Sequence, residues 1–102
     1  MMATMALRQA RRVGYLELVT DFFTGLQGRG LMLSPADTEW VRRWEARGIP
    51  VEVVCRGLQG AVEAHQLLRP GVPPPHRLSY YAPAVDEAFR AAREKALGRR
   101  DP

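Results

Sequence analysis

Two pieces of punctuation, Ser34-Pro35-Ala36-Asp37 and Gly48-Ile49-Pro50, constrain this chain more than any other feature. The first combines a serine suited to capping a helix N-terminus, a proline at the first helical position and an acid at N3 able to answer the cap. The second places a glycine where a helix ends in the left-handed conformation, an isoleucine able to fold back over the last turn, and a proline that forbids continuation. The helix between them must stop and the chain must turn. Pro50 is also suited to opening the next helix, so Ser34 to Arg69 reads as two helices joined by a tight Gly-Ile-Pro corner.

Side-chain periodicity fills in the hairpin. Trp40, Val41 and Trp44 form one stripe of its first helix with Asp37 at the edge, while Glu39, Arg43 and Arg47 form a solvent stripe at i, i+4 spacing. In the second, Val51, Val54, Cys55, Leu58, Ala61, Val62 and His65 line one face. Glu52, Arg56, Gln59, Glu63 and Gln66 line the other. Gly57 and Gly60 cost helix stability, and their presence predicts close approach of another helix there.

An earlier helix is predicted from Tyr15, Leu16, Val19, Phe22, Phe23 and Leu26, which recur at three and four, and Gly25, Gly28 and Gly30 should end it. After the hairpin, RPGVPPPHR (69–77) carries four prolines that deny a helix its N–H donors, and it reads as a stiff, extended connector. Leu78-Ser79-Tyr80-Tyr81 follows, and Pro83 opens a last helix with Val85, Phe89, Ala92 and Ala96 inward, which Gly98 ends.

The expected fold is all-α: a small single-domain bundle of about four helices (13–27, 35–47, 50–69 and 83–97) around the central hairpin. Residues 1–12 form a basic lead-in, 13–98 the domain with its connector at 70–77, and 99–102 a short tail. A chain of 102 residues supports one modest core. With 46% hydrophobic and 25% charged residues it has globular composition, and no apolar run approaches the roughly 20 residues needed to span a bilayer.

Cys55 is the only cysteine, which rules out an intramolecular disulfide and a cysteine cluster for metal, and fits a reducing, cytoplasmic setting. It reads as a small core hydrophobe. His65 reads as a packed or half-exposed side chain with no second ligand at i+4, and no nucleophile, metal or phosphate-loop motif is present. No enzyme activity, catalytic residue, metal or cofactor is expected.

The net charge of +4 leans toward an acidic partner such as nucleic acid. The surplus is spread along the chain, with seven basic against five acidic residues up to Val51 and eight against six beyond it.

One ordered pattern covers residues 31–90. Leu33-Ser34-Pro35, then Trp44 closing a helix, Pro50-Val51-Glu52 opening the next, Leu58 and Ala61-Val62 within it, and finally Tyr81-x-x-x-Val85-x-x-x-Phe89 stand in sequence. This succession resembles the DnaD-type domain of bacterial and phage replication-initiation proteins, whose last helix carries Y-x-x-x-I-x-x-x-W. Pro83 falls inside that motif here, and residues 1–30 are too few for the winged-helix domain that accompanies full family members.

The resemblance implies a domain that associates with DNA and helps recruit a helicase or another primosome component. The phosphate contacts would then fall to Arg42, Arg43, Arg47, Arg56, Arg90, Arg93, Arg99 and Arg100, with Tyr80 or Tyr81 for base stacking. Each arginine also has a plain reading as one half of an i, i+4 surface pair, such as Glu39 with Arg43, Glu52 with Arg56 or Asp86 with Arg90. The alternative function is a helical protein–protein adaptor with no nucleic-acid contact, using Trp40 and Trp44 and the proline-rich segment. Clustering of the arginines around Tyr80 and Tyr81 separates the two.

Overall fold

The computed structural model describes residues 14–28 and 32–98. Expectations placed on the lead-in, Val13, Gly30, Leu31 and the tail with Arg99 and Arg100 therefore lie outside the described residues. Four helices run in order: α1 (Tyr15–Gln27), α2 (Pro35–Ala46), α3 (Val51–Leu68) and α4 (Ala82–Gly98). A short 3-10 turn, Leu78–Tyr81, leads directly into α4, and no strand is present among the described residues. The all-α bundle with a central hairpin is thus observed.

The caps form as their chemistry requires. Asp37 N–H donates to Ser34 Oγ at 3.1 Å and Ser34 N–H donates to Asp37 Oδ2 at 3.2 Å, a complete capping box. At the far end Ile49 N–H reaches Trp44 C=O at 3.1 Å and Gly48 N–H reaches Glu45 C=O at 2.9 Å, with Gly48 at φ 76°. Those two bonds close the carbonyls of the last turn, and Ile49 is buried over it. The turn into α3 follows because Pro50 cannot prolong α2.

α3 is the central helix. α4 packs along one side of it and α1 along another, so its buried residues form two faces: Val54, Leu58 and Val62, and additionally Val53 and Gly57. The predicted single face omitted the second set. At Gly57 a Cβ would lie 2.8 Å from Val85 Cα, so α4 crosses there on backbone contact. Gly60 does not share this role, since nothing approaches its Cβ position within 4 Å. Gly25 likewise lies inside α1 rather than ending it, and Gly28 at φ 74° makes the exit. Ala96, expected inward, is exposed because α4 extends beyond the end of its packing surface.

Val19, Phe23, Val41, Trp44, Ile49, Val54, Leu58, Leu78, Tyr81 and Val85 fill the core between the helices. Tyr15 ties α1 to the hairpin corner, donating its hydroxyl to Ile49 C=O at 2.6 Å. Burial, reinforced by the negative field of Glu45, Cys55 and Glu52, pushes this phenol up to about 12. An unfolded chain releases the same proton near pH 10. Between those values the unfolded state binds fewer protons than the native one, so stability falls as pH rises through this window and is fully present below it. Tyr15→Phe should cost about 1 kcal/mol at neutral pH through the lost hydrogen bond. It should also flatten the alkaline decline, leaving the part due to Tyr81 and Cys55, whose pKa values are raised as well. Urea denaturation at pH 7 and pH 11 measures both, and an unchanged alkaline slope would refute the assignment to Tyr15.

Candidate functional site

The connector after α3 folds back along that helix. Arg69 ends α3, Gly71 at φ 81° turns the chain, and His65 Nε2 lies 3.0 Å from Val72 C=O. With a carbonyl as its partner, that ring nitrogen carries the hydrogen. Further on, Pro75 C=O accepts from Tyr81 Oη at 2.8 Å and from Gln27 Nε2 at 3.2 Å. The connector is therefore pinned near both ends.

Between this strap and the second half of α3 lies a groove of about 500 Å³, lined by Ala61, Ala64, His65, Leu68, Arg69, Pro75 and Tyr80. The alanines provide a low floor, and Pro75 and Tyr80 one wall. Leu68 in its lining is more than four-fifths exposed and Tyr80 about half, and Val72, whose C=O pairs with the lining residue His65, is about half exposed as well. Isolated exposed apolar side chains are ordinary, whereas several adjoining a groove mark an interaction surface.

Tyr80 and Tyr81 have opposite roles, because the 3-10 turn directs adjacent side chains to different sides. Tyr80 is half exposed at the groove wall. Tyr81 is fully buried, edge-on to Phe23 at 5.3 Å and to Tyr80 at 5.1 Å. Base stacking by Tyr81 is therefore corrected: its ring belongs to the core, and burial raises its pKa. Trp44 requires the same correction as a partner-binding residue, being fully buried between the helices, while Trp40 is half-buried beside it with ring centroids 6.3 Å apart.

The arginines do not gather around the tyrosines. Arg47 reaches Asp86 at 2.7 Å across the α2–α4 boundary, Arg43 sits 3.7 Å from Glu39 and 5.1 Å above the Trp40 ring, and Arg93 lies 5.6 Å over Phe89. Arg90 bonds both Glu87 and Glu94, which holds the Glu87 carboxyl below its ordinary range. Arg47, Arg90 and Arg93 do come together around Asp86, Phe89 and Glu94, where Asp86 pairs with Arg47 and Glu94 with Arg90 while Arg93 lies over Phe89. Arg56 lines a separate recess with Leu18, Phe22, Val51, Glu52, Cys55 and Gln59, and Arg42 is exposed on α2. Across the described residues nine basic side chains stand against ten acidic ones, so the positive balance of the chain comes from Arg8, Arg11, Arg12, Arg29, Arg99 and Arg100.

Two further groups bear on chemistry. Cys55 is half-buried, and burial with Glu52 nearby pushes its thiol up, away from the nucleophilic thiolate. Among the described residues no three His, Cys, Asp or Glu side chains group to hold a metal, and no helix is long and apolar enough to cross a membrane.

An all-α bundle with an open, largely apolar groove is the class of protein these features define. Residues 14–94 match a family model described as "Uncharacterised protein", and the chain belongs to that family. No curated protein and no solved structure matches the chain.

Arg69, Ala64 and Leu68 were not among the residues singled out from the sequence. The available signal was weak: Ala61, Ala64, His65 and Leu68 recur at three and four past the point where α3 needs a core face. Only the return of the connector makes that stripe a groove.

Proposed function

We propose that this protein is a helical docking module that binds a protein partner in the groove between α3 and the proline-rich connector. The observation that carries this reading is the open groove with Leu68, Val72 and Tyr80 exposed at it, on a body whose basic and acidic side chains are nearly equal in number. Apolar area of this kind costs solubility and is recovered when a partner covers it.

A photo-crosslinking residue at position 64 should give a discrete adduct in cells, and one at position 39 on α2 should not. Leu68→Asp should abolish the adduct while costing only about 1 kcal/mol of stability, from the poorer helix propensity of Asp and its charge at the C-terminal end of α3, since Leu68 is a surface residue. Equal labelling from both positions, or labelling that survives Leu68→Asp, overturns the reading.

A second reading is a DNA-associated accessory domain, with a role in replication initiation or helicase recruitment, and it draws on the DnaD-type resemblance. It is favoured by the basic surplus at Arg8, Arg11, Arg12, Arg29, Arg99 and Arg100, outside the balanced body. The residues behind the resemblance have structural work here: Ser34 caps, and Trp44, Leu58, Val62, Tyr81 and Val85 are core. Binding of oligonucleotides should then fall steeply with salt, respond to replacement of Arg8, Arg11 and Arg12, and ignore Leu68→Asp. Undetectable binding in about 50 mM salt removes direct DNA contact.

A further inference from the structure

We infer that the segment received by the groove is acidic as well as apolar: an aliphatic or aromatic anchor seated on Ala61, Ala64, Leu68 and Tyr80, with a neighbouring carboxylate engaging Arg69. This deepens the docking reading and rests on it.

The charge around the groove carries the inference. Its lining contains Arg69 and His65 and no carboxylate. Among the described arginines Arg43, Arg47 and Arg90 form ion pairs with acids, while Arg42, Arg77 and Arg93 form none. Arg69 differs in its recess, because the other two recesses both contain carboxylates, Glu52 beside Arg56 in one and Asp86 and Glu94 beside Arg47, Arg90 and Arg93 in the other. The acid nearest in sequence, Glu63, accepts from Gln59 Nε2 at 3.0 Å, and Gln59 lines the recess on the α1 side of α3. Glu63 is thereby held away from Arg69. The C-terminal end of α3 favours a cation at position 69 through its dipole, which accounts for the arginine but not for the absence of acid from the groove wall. A guanidinium beside an apolar surface is suited to a carboxylate, because it can donate two parallel hydrogen bonds where little water competes.

Shape supports the same partner. Two alanines let a partner's backbone or anchor approach α3 closely, and a volume near 500 Å³ falls within the roughly 300–1,000 Å³ of sites that hold compact ligand groups. The far wall is set in advance. Tyr80 rests on the edge of Tyr81, Tyr81 is bonded to Pro75 C=O, and His65 bonds Val72 C=O. Little ordering is therefore left to be done on binding.

The test uses the full chain and a random peptide library displayed on phage as the probe. Selected peptides should pair an aromatic or aliphatic residue with Asp or Glu. By fluorescence anisotropy their binding should weaken at least tenfold with Leu68→Asp and with Arg69→Glu, and several-fold between 50 and 500 mM NaCl. Exchanging the peptide's acid for lysine should restore binding to the Arg69→Glu protein. Peptides that lose affinity with Leu68→Asp yet are neutral or basic and ignore Arg69→Glu would overturn the acidic assignment while leaving the docking groove standing. If no peptide is enriched, or those enriched ignore Leu68→Asp, the groove reading fails and the acidic assignment fails with it. Circular dichroism of both variants confirms that each remains folded.

Discussion

Gly57→Ala should lower the melting temperature by roughly 5–20 °C, the thermal equivalent of the about 1–3 kcal/mol that overpacking a close helix crossing costs. The added methyl would stand 2.8 Å from Val85 Cα and 3.1 Å from Ala84 C=O. Both are backbone atoms, so no side-chain rotation relieves the clash and α4 must move off α3. Val85 and Leu58, fully buried near that crossing, would lose packing in the process. Gly60→Ala, three residues on in the same helix, should do the opposite. Its Cβ position meets nothing within 4 Å, so the change removes a helix-weakening glycine and raises stability by up to about 1 kcal/mol. Thermal unfolding followed by circular dichroism reads both. Two shifts of the same sign would show that α4 does not bear on Gly57 as described.

That contrast also marks how far the sequence could be read. Helix starts and stops depend on neighbouring residues, so the capping box at Ser34 and Asp37 and the reversal at Gly48-Ile49-Pro50 were legible and formed as expected. Gly57 and Gly60 look alike in sequence, and only the path of α4, set by contacts far along the chain, tells them apart. Val53 was missed for the same reason: a central helix buries a second face that a single-stripe periodicity does not predict. Tyr80 and Tyr81 are neighbours with equal claims to exposure until a 3-10 turn, for which these four residues carry no distinctive signal, sends one to solvent and the other into the core. The candidate site was the least legible part. Tyr80 was named in advance, but Arg69 and Leu68 gain significance only when the connector doubles back. The Arg47–Asp86 pair, 39 residues apart, could not be foreseen from i, i+4 spacing.

Asp37→Ala should cost about 2–4 kcal/mol, a large fraction of the stability of a domain this size, because the carboxylate does more than answer the α2 cap. Asp37 is 8% exposed and uses its two oxygens separately: Oδ2 accepts from Ser34 N–H, while Oδ1 accepts from Leu78 N–H at 2.9 Å in a buried bond. Removing it strands the Leu78 amide without water or partner, a penalty of about 1–3 kcal/mol, and withdraws a negative charge from a helix N-terminus, about 0.3–1 kcal/mol more. Ser34→Ala provides the comparison. It loses only the bond to Asp37 N–H at the exposed end of the box and should cost about 1 kcal/mol. Asp37→Asn should fall between them, since one acceptor oxygen remains for two N–H donors. Urea denaturation ranks the three variants, and hydrogen exchange at the Leu78 amide locates the damage, with protection falling selectively in Asp37→Ala. Equal costs for Ser34→Ala and Asp37→Ala would mean that the bond to Leu78 contributes nothing. The site should register the change too. Leu78 opens the turn that presents Tyr80 and anchors Tyr81 to Pro75, so a single carboxylate on α2 holds one wall of a groove formed by α3 and the connector.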